Sequence, residues 1–335
     1  MQQNSGLQIV ELEITNRCNL NCKHCYVDKS NPKDLDSKKI YELINQCQEM
    51  NVYRLVFTGG EPLLVSELFK FAKYAKIKKI PQIVLQTNGL LITKNNIKKI
   101  KIFDLVQLSV DIPPGEKPHF RKYYLPQLTK KTQLLKSQKI NLILQATLHK
   151  SLLPFLDKLG EFAQKNNILI GFNRLIPIGE AVNLDKELFS PLEFKEALTK
   201  ITEIKKKYGK FIRCSDPLLF LVDKSRKRHL EVLYKRNKNK IIGGCIAGVA
   251  ALYINAKGDV CPCAFLRYPI GNIFKEDLND VWLNNEEIKK LRERKKFRGK
   301  CGKCKYVFYC GGCRACAFLK TGNLSGSDPF CWLYN

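Results

Sequence analysis

The chain of 335 residues carries 58 lysines and arginines against 31 aspartates and glutamates, giving a formal net charge of +27. The length predicts about two domains, and the lack of a signal peptide or of an apolar run of about 20 residues predicts a cytoplasmic protein with no membrane partner. The basic residues are dispersed over amphipathic segments, so a lysine-rich solvated surface explains most of the charge, and no aromatic and basic module predicts nucleic-acid binding.

Short apolar runs alternate with amphipathic segments through the first half of the chain. Strands are predicted at residues 7–14, 53–57, 82–86, 104–110, 140–148 and 168–173. Helices are predicted at residues 37–50 after a cap at Asp36, at 66–78, at 152–166, and from Ser190 onward. These strand–helix alternations predict an α/β fold in which a parallel sheet rolls into a partial (β/α)6 TIM-like barrel.

The polar and glycine-rich segments follow the predicted strands. Such barrels place their chemistry on the loops that leave the C-terminal ends of the strands. These loops carry Cys18, Cys22 and Cys25 after the first strand, "TGGEP" (58–62) after the second, "TNG" (87–89) after the third, Ser109 and Asp111 at the end of the fourth, and "RLIPIG" (174–179) after the sixth. The sequence therefore predicts one functional rim.

The first cysteine group has three members where a structural metal site usually has four. A cubane of four irons and four sulfurs held by three thiolates keeps one iron open for another ligand, as in a catalytic zinc site. The spacing alone leaves two alternatives open. His24 could complete a zinc site with the cysteines, or the cysteines could be incidental.

The composition changes toward the C-terminus. Residues 205–242 are charged and are predicted to form a helical bridge, and glycine and cysteine dominate from Gly243, with a hairpin turn at "NAKG" (255–258). Nine cysteines lie between residues 245 and 331, in the pattern C-x12-G-x4-C, C-x2-C-x5-C-x2-C and a final C. That pattern suits two zinc ions or two iron–sulfur clusters. Cys47, on a predicted helix with apolar neighbours, is expected to be a core residue.

"CNLNCKHCY" after the first strand and "GGEP" after the second together resemble the signature of the radical S-adenosylmethionine (radical SAM) superfamily, over about residues 7–180. The resemblance implies that Cys18, Cys22 and Cys25 bind a [4Fe–4S] cluster whose open iron takes the amino and carboxylate groups of SAM. It also implies that one electron from this cluster cleaves SAM, and that the resulting 5′-deoxyadenosyl radical abstracts hydrogen from a substrate.

The same resemblance suggests the residues that contact SAM, and none is assigned as catalytic. They are Tyr26, Gly59, Gly60, Glu61, Pro62, Asn88, Ser109, Asp111 and Arg174. The glycines would let the backbone approach the ligand, Glu61 would accept a hydrogen bond from the SAM ammonium group, and Tyr26 would contact adenine. A loop-capping role for Asp111 and a surface ion pair for Arg174 are the alternatives.

The C-terminal pattern resembles the SPASM extension, which holds two auxiliary clusters, in the branch with haem- and cofactor-pathway enzymes and peptide maturases. The resemblance implies a distal cluster on Cys301, Cys304, Cys310 and Cys331, and a nearer cluster on Cys245, Cys263 and Cys313. Cys214, Cys261 or Cys316 could supply the fourth ligand of the nearer cluster, or that position could stay open for substrate. Ligation by both Cys261 and Cys263, which are separated only by Pro262, would be strained, and Cys316 is expected to be a spare cysteine because this branch often has arginine there. All three clusters are expected to be [4Fe–4S].

The expected domains are a radical SAM core (1–204), the helical bridge (205–242) and a SPASM domain (243–335). The expected activity is radical modification of a ribosomally made peptide or protein. Modification of a tetrapyrrole and maturation of another enzyme's cofactor are the alternatives, and a non-catalytic electron carrier or zinc scaffold is the alternative from another class. The expected partners are the peptide or small-molecule substrate and a low-potential electron donor such as ferredoxin or flavodoxin. Since only six residues precede the first strand, the alternatives for a peptide substrate are a separate peptide-recognition protein or a substrate that needs no leader.

Overall fold

The computed structural model describes residues 6–111, Phe120 and residues 125–333, and within these the strands form one continuous sheet. The strands are β1 (Ile9–Thr15), β2 (Arg54–Gly59), β3 (Gln82–Thr87), β4 (Leu105–Val110), β5 (Leu142–Leu148), β6 (Leu169–Arg174), β7 (Ile212–Cys214), β8 (Ala251–Ile254), β9 (Asp259–Cys261) and β10 (Gly271–Asn272). Their order is β10-β9-β8-β1-β2-β3-β4-β5-β6-β7. All neighbours from β8 to β7 are parallel, which confirms the predicted α/β class.

The helices cover the outer face of the sheet and fill the connections. They are α1 (Ser37–Glu49), α2 (Leu68–Ile77), α3 (Ile97–Ile100), α4 (Leu125–Ser137), α5 (Leu156–Lys165), α6 (Pro191–Tyr208), α7 (Lys224–Arg236), α8 (Leu278–Asn284), α9 (Glu286–Arg292), α10 (Gly299–Gly302) and α11 (Arg314–Thr321). Asp36 caps α1 by accepting from the Lys39 backbone N–H at 2.9 Å, and Ser190 and Glu193 form the predicted capping box at α6.

Two of the predicted elements differ from the structure. The helix predicted at 152–166 is divided into a 3₁₀ segment, Lys150–Phe155, and α5, because Pro154 has no N–H to donate to the helix. The segment predicted as a helical bridge is not entirely helical, since it contains β7, which pairs in parallel with β6. Both differences are local, and the six core strands lie where the sequence predicts them.

The C-terminal part adds strands to the other edge of the barrel sheet. β8 pairs in parallel with β1, and β8 and β9 form the predicted hairpin around residues 255–258. One core cluster packs α1 and α2 against the first strands and includes the buried side chain of Cys47, as predicted. In the described part of the chain, no helix combines the length and apolarity that crossing a bilayer requires.

Candidate cysteine-lined active site

One cavity, open to solvent, lies at the C-terminal ends of the barrel strands. It is bounded by the loop after β1 and by residues from the other strand ends. Of the residues predicted for this rim, the cavity is lined by Cys18, Cys22, Cys25, Tyr26, Gly59, Gly60, Asn88, Ser109 and Arg174. Three predicted residues, Glu61, Pro62 and Asp111, are buried outside this lining.

The two glycines after β2 fix the second loop against the cysteine loop. A Cβ on Gly59 would collide with the Thr15 carbonyl oxygen, and a Cβ on Gly60 with that of Arg17. The Gly60 N–H donates to the Thr15 carbonyl at 2.8 Å, and the Glu61 N–H donates to the Arg17 carbonyl at 2.8 Å. The glycines are therefore needed for backbone contact between loops, in addition to the ligand approach expected from the sequence.

The Glu61 side chain joins two loops and does not face the cavity. Its carboxylate accepts from Thr87 Oγ1 at 2.7 Å, from the Asn88 N–H at 2.9 Å and from the Leu63 N–H at 3.1 Å. Pro62, next to it, begins a short 3₁₀ helix, Pro62–Leu64. In this structure the Glu61 carboxylate holds the loop after β2 to the loop after β3, and its role as a SAM ligand stays a prediction.

The loop after β6 also supports the cysteine loop, through Gly179, a residue to which the sequence analysis gives no role. Gly179 has a φ of +58°, and a Cβ there would collide with the Cys25 carbonyl oxygen. The N–H of Glu180 donates to that carbonyl at 2.9 Å. The Asn16 side chain crosses the base of the loop and donates to the carbonyls of Asp28 and Asn31, both at 2.9 Å. The glycine that ends "RLIPIG" is the sequence feature that could have predicted this close contact with the cysteine loop.

In the first cysteine group the sulfur of Cys18 receives N–H groups, a pattern that suits a thiolate bound to iron. Cys18 Sγ accepts from the Leu20 N–H at 3.4 Å and lies 3.9 Å from Asn88 Nδ2. His24 also lines this cavity, but its Nε2 is 3.7 Å from Asp111 Oδ1 and its ring packs on Phe120, and among the described residues it does not converge with the cysteines on one metal position. The structure therefore does not support His24 as a fourth zinc ligand, and it makes Asp111 a neighbour of that histidine.

Arg174 reaches the cavity wall but uses its guanidinium in a buried ion-pair network. It donates to Asp216 at 2.5 and 2.7 Å and to Asp328 at 3.1 Å, and it stacks between Phe194 and Phe330. Burial opposes its charge, but the two aspartates outweigh burial and raise the Arg174 pKa well above its ordinary value. The alternative ion-pair role is the one observed, although the pair is buried and links β6 to the C-terminal segment.

A wall of side-chain amides lines the barrel interior below the cysteines, and sequence reasoning missed it. Gln86 on β3, Gln107 on β4, Gln145 on β5 and Asn173 on β6 all line the cavity, as does Glu11 on β1. Gly171 leaves the space that Gln145 occupies, since a Cβ there would lie 2.6 Å from Gln145 Oε1. Burial raises the pKa of Glu11 to about 7, while nearby Arg54 lowers it. The sequence feature that could have predicted this wall is the alternation of side chains between the two faces of each strand, which places polar residues on the inner face.

The C-terminal cysteines separate into two groups. Cys301, Cys304, Cys310 and Cys331 line one small cavity. Two sulfurs of this group also accept hydrogen bonds. The Tyr306 N–H donates to Cys304 Sγ at 3.4 Å, and the Gly312 N–H donates to Cys310 Sγ at 3.3 Å. Cys245, Cys263 and Cys313 form the other group, whose members interact electrostatically with one another. The residues that follow Cys263, Ala264 and Phe265, line the cavity of the first cysteine group.

Within the described residues, no three His, Cys, Asp or Glu side chains converge closely enough to hold a single metal ion. The cysteine groups do provide what an iron–sulfur cluster needs, namely several thiols around one cavity with N–H donors directed at their sulfurs. The residues present therefore fit clusters at these positions.

Comparisons with known proteins agree with this geometry. Residues 12–148 match the Radical SAM superfamily, and residues 245–305 match the SPASM iron–sulfur cluster-binding domain. The chain is 26% identical to an AdoMet-dependent heme synthase of Methanosarcina barkeri, over 97% of this chain and 96% of that protein. It is 25% identical to mycofactocin maturase MftC of Mycolicibacterium smegmatis, over 95% of this chain and 81% of that protein.

A solved structure shares the fold. SuiB of Streptococcus suis, bound to its precursor peptide SuiA, superposes with a TM-score of 0.77 at 17% identity, covering 98% of this chain and 76% of SuiB. This likeness confirms the TIM-like barrel with its C-terminal extension, and the matched domains make SAM and iron–sulfur clusters the cofactors. The chain belongs to the radical SAM superfamily, as an enzyme with a C-terminal SPASM domain.

Proposed function

We propose that this enzyme modifies a ribosomally made peptide or protein by hydrogen abstraction, and that the amide-lined barrel interior binds its substrate. Gln86, Gln107, Gln145 and Asn173 each offer a hydrogen-bond donor and an acceptor to the cavity that the first cysteine group lines. A peptide segment carries the complementary N–H and C=O groups along its backbone. This wall is the observation that carries the proposal.

The proposal assigns the three cluster sites to the cysteine groups. The SAM-binding cluster is assigned to Cys18, Cys22 and Cys25, the nearer auxiliary cluster to Cys245, Cys263 and Cys313, and the distal cluster to Cys301, Cys304, Cys310 and Cys331. When bound, the first cluster supplies the electron that divides SAM into methionine and a 5′-deoxyadenosyl radical. We also propose the division into a core (1–204), a connecting segment (205–242) and an auxiliary-cluster region (243–335).

The chain's own residues would position SAM and substrate around that reaction. Gly59, Gly60 and Asn88 form the wall beside the cysteines, where the backbone and a side-chain amide are available to the polar groups of SAM. Tyr26 packs edge-on against Phe265 with ring centroids 5.0 Å apart, which fixes an aromatic surface at the cavity. Ser109 adds a hydroxyl on the opposite wall.

A tetrapyrrole is the second candidate substrate, because several similar proteins are heme synthases. The described lining of the cavity favours the peptide. Its two longer cations are Lys29 and Arg174; Lys29 donates to the Leu20 carbonyl at 2.9 Å, and Arg174 is paired with two aspartates. Carboxylate side arms of a tetrapyrrole would need cationic partners that these residues do not offer freely.

The test is an anaerobic assay of 5′-deoxyadenosine formation with reconstituted, reduced enzyme and SAM. Synthetic peptides encoded by short reading frames beside the gene are compared with iron coproporphyrin III as the tetrapyrrole probe. We expect a peptide to stimulate product formation and to change in mass, and the Cys22→Ala variant to make no product while keeping its auxiliary clusters. Stimulation by the tetrapyrrole alone would replace the peptide proposal with the second candidate.

Variants of the amide wall sharpen the test. Gln107→Leu and Gln145→Leu each remove hydrogen-bonding groups from the wall, and we expect about a 10-fold loss of peptide-stimulated rate from each. Gln164→Leu, an exposed position on α5, is the matched control and should behave as the parent. Parental peptide stimulation in both wall variants would contradict substrate binding at the amides.

A further inference from the structure

The final helix, α11, begins with a C-x-x-C turn that places a further thiol beside the nearer auxiliary group. Cys313 is the N-cap residue of α11, and Cys316 lies in its first turn. Residues three apart at a helix start lie on the same side, and the two sulfurs are hydrogen-bonded to each other. Cys316 is buried in a small core cluster against which Cys263 and Cys313 pack.

The start of α11 directs its N–H groups at the sulfurs of this group. The Arg314 N–H donates to the Cys245 sulfur, and the Cys316 N–H donates to the Cys313 sulfur. Such donors at a helix N-terminus stabilise negative charge, and thiolates are the form in which cysteine binds iron. The geometry thus suits several thiolates gathered at one helix end.

We propose that Cys316 is the fourth thiolate ligand of the nearer auxiliary cluster, together with Cys245, Cys263 and Cys313. This inference rests on the proposed function, which assigns a cluster to the other three cysteines. It also revises the expectation drawn from the sequence, in which Cys316 was a spare cysteine.

The two other candidate cysteines lie in different surroundings. Cys261 packs with Tyr253 and Ala264, and it lines a different cavity from that of the first cysteine group, together with Glu13, Asp259 and Arg267. Cys214 ends β7, beside Asp216 and Arg226. Among the described cysteines outside the assigned groups, Cys316 is therefore the one that contacts a member of the nearer group.

Full ligation has a chemical consequence for the reaction. A [4Fe–4S]²⁺ core with four thiolates has a net charge of about −2, and its assembly releases four thiol protons. Arg174 Nη1, 3.8 Å from Cys316 Sγ, supplies a positive charge at this position. If Cys245, Cys263, Cys313 and Cys316 together hold all four irons, no iron is open to substrate, and the cluster would supply electron transfer. The one electron that the substrate radical loses on its oxidation would then be accepted finally by an external carrier of the flavodoxin or ferredoxin class.

The experiment uses full-length protein in which Cys18, Cys22 and Cys25 are all changed to Ala, so that the remaining iron belongs to the auxiliary sites. This background is expected to hold about eight irons per chain. We expect Cys316→Ala either to lose about four of these irons or to give a reduced EPR signal that shifts when cyanide is added. Cys316→Ser, which keeps the side-chain size, should retain iron with a changed EPR signal. Cys214→Ala and Cys261→Ala are the matched controls and should keep the background iron content and spectrum.

Two results would overturn the assignment of Cys316. The first is unchanged iron content and an unchanged, cyanide-insensitive EPR signal in both Cys316 variants, while the background holds its clusters. The second is loss of a cluster in Cys214→Ala or Cys261→Ala instead. A background protein that binds no iron would overturn the auxiliary cluster assignments as well, so that failure of the proposed function is distinguished from failure of the fourth ligand.

Discussion

Replacing Arg174 with glutamine is predicted to destabilise the junction between the barrel and the C-terminal segment. The Arg174 guanidinium is nearly inaccessible and donates two hydrogen bonds to Asp216, at 2.5 and 2.7 Å, and two to Asp328, at 3.1 Å. Asp216 follows β7, and Asp328 lies in the C-terminal segment, so one cation joins three distant parts of the chain. The glutamine variant would leave two buried carboxylates without their counter-ion.

The magnitude follows from this geometry. Removing one partner of a buried ion pair costs about 3–5 kcal/mol, because an uncompensated charge remains in the interior. The backbone N–H groups of Leu218, Cys313 and Phe330 also donate to these carboxylates and offset part of the cost. Loss of stacking on Phe194, 4.6 Å from the guanidinium carbon, adds about 1 kcal/mol. We therefore expect a total loss of about 4 kcal/mol.

Urea unfolding of reconstituted protein, followed by tryptophan fluorescence, measures this loss. With a slope of about 3 kcal/mol per molar urea, the midpoint should fall by about 1 M or more. Arg174→Lys keeps the charge without the two-pronged hydrogen bonding, so its midpoint should fall by roughly half as much. A parental midpoint in Arg174→Gln, with SAM affinity weakened about 10-fold, would refute the structural role and restore Arg174 as a SAM ligand.

Two further predictions concern the cavity. Because the Glu11 pKa is raised to about 7 from 4.5, the folded state holds an extra proton and loses stability as pH rises through that interval. The Glu11→Gln variant should therefore gain about 2 kcal/mol over the parent between about pH 5.5 and pH 8 in urea unfolding, and a pH-independent difference would show that the carboxyl titrates normally. Gly60→Ala should lose iron from the first cysteine group, because the Cβ overlaps the Arg17 carbonyl. Gly209→Ala, after α6, has no atom within 4 Å of the added Cβ and should keep its iron, although its φ of +61° strains an alanine. Equal iron content in the two alanine variants would contradict the loop-packing role of Gly60.

Local signals predicted much of the fold and the position of the cysteines. Alternating apolar runs located the six barrel strands, and the rule that chemistry follows the C-terminal strand ends placed Cys18, Gly60 and Asn88 at one cavity. Cys47 was predicted correctly because helical periodicity alone decides which side of α1 is buried. In each case the determinant lies within a few residues of the position that it fixes.

The roles of Glu61 and Arg174 depend on partners that lie far from them in the sequence, and the sequence alone could not show these partners. The Glu61 carboxylate bonds to Thr87 and Asn88, 26 and 27 residues away, and Arg174 bonds to Asp328, 154 residues away. A motif resemblance identifies such residues as important without showing which partner satisfies their charge. The amide wall depends on the register in which neighbouring strands pair, which the sequence does not show. Gln86 of β3 lies opposite Gln107 of β4, and Ser109 of β4 lies opposite Gln145 of β5.

The C-terminal segment forms part of the active-site enclosure and does more than carry auxiliary clusters. Its strand β8 pairs with β1, the strand that leads into the first cysteine group, and Phe265 closes the cavity against Tyr26. On the opposite side, Asp328 holds Arg174 at the end of β6. These contacts attach the segment to the first and last strands of the six-stranded barrel, so the barrel interior and the nearer auxiliary site are positioned by the same interactions. A substitution that weakens either attachment should therefore disturb SAM cleavage and auxiliary cluster binding together.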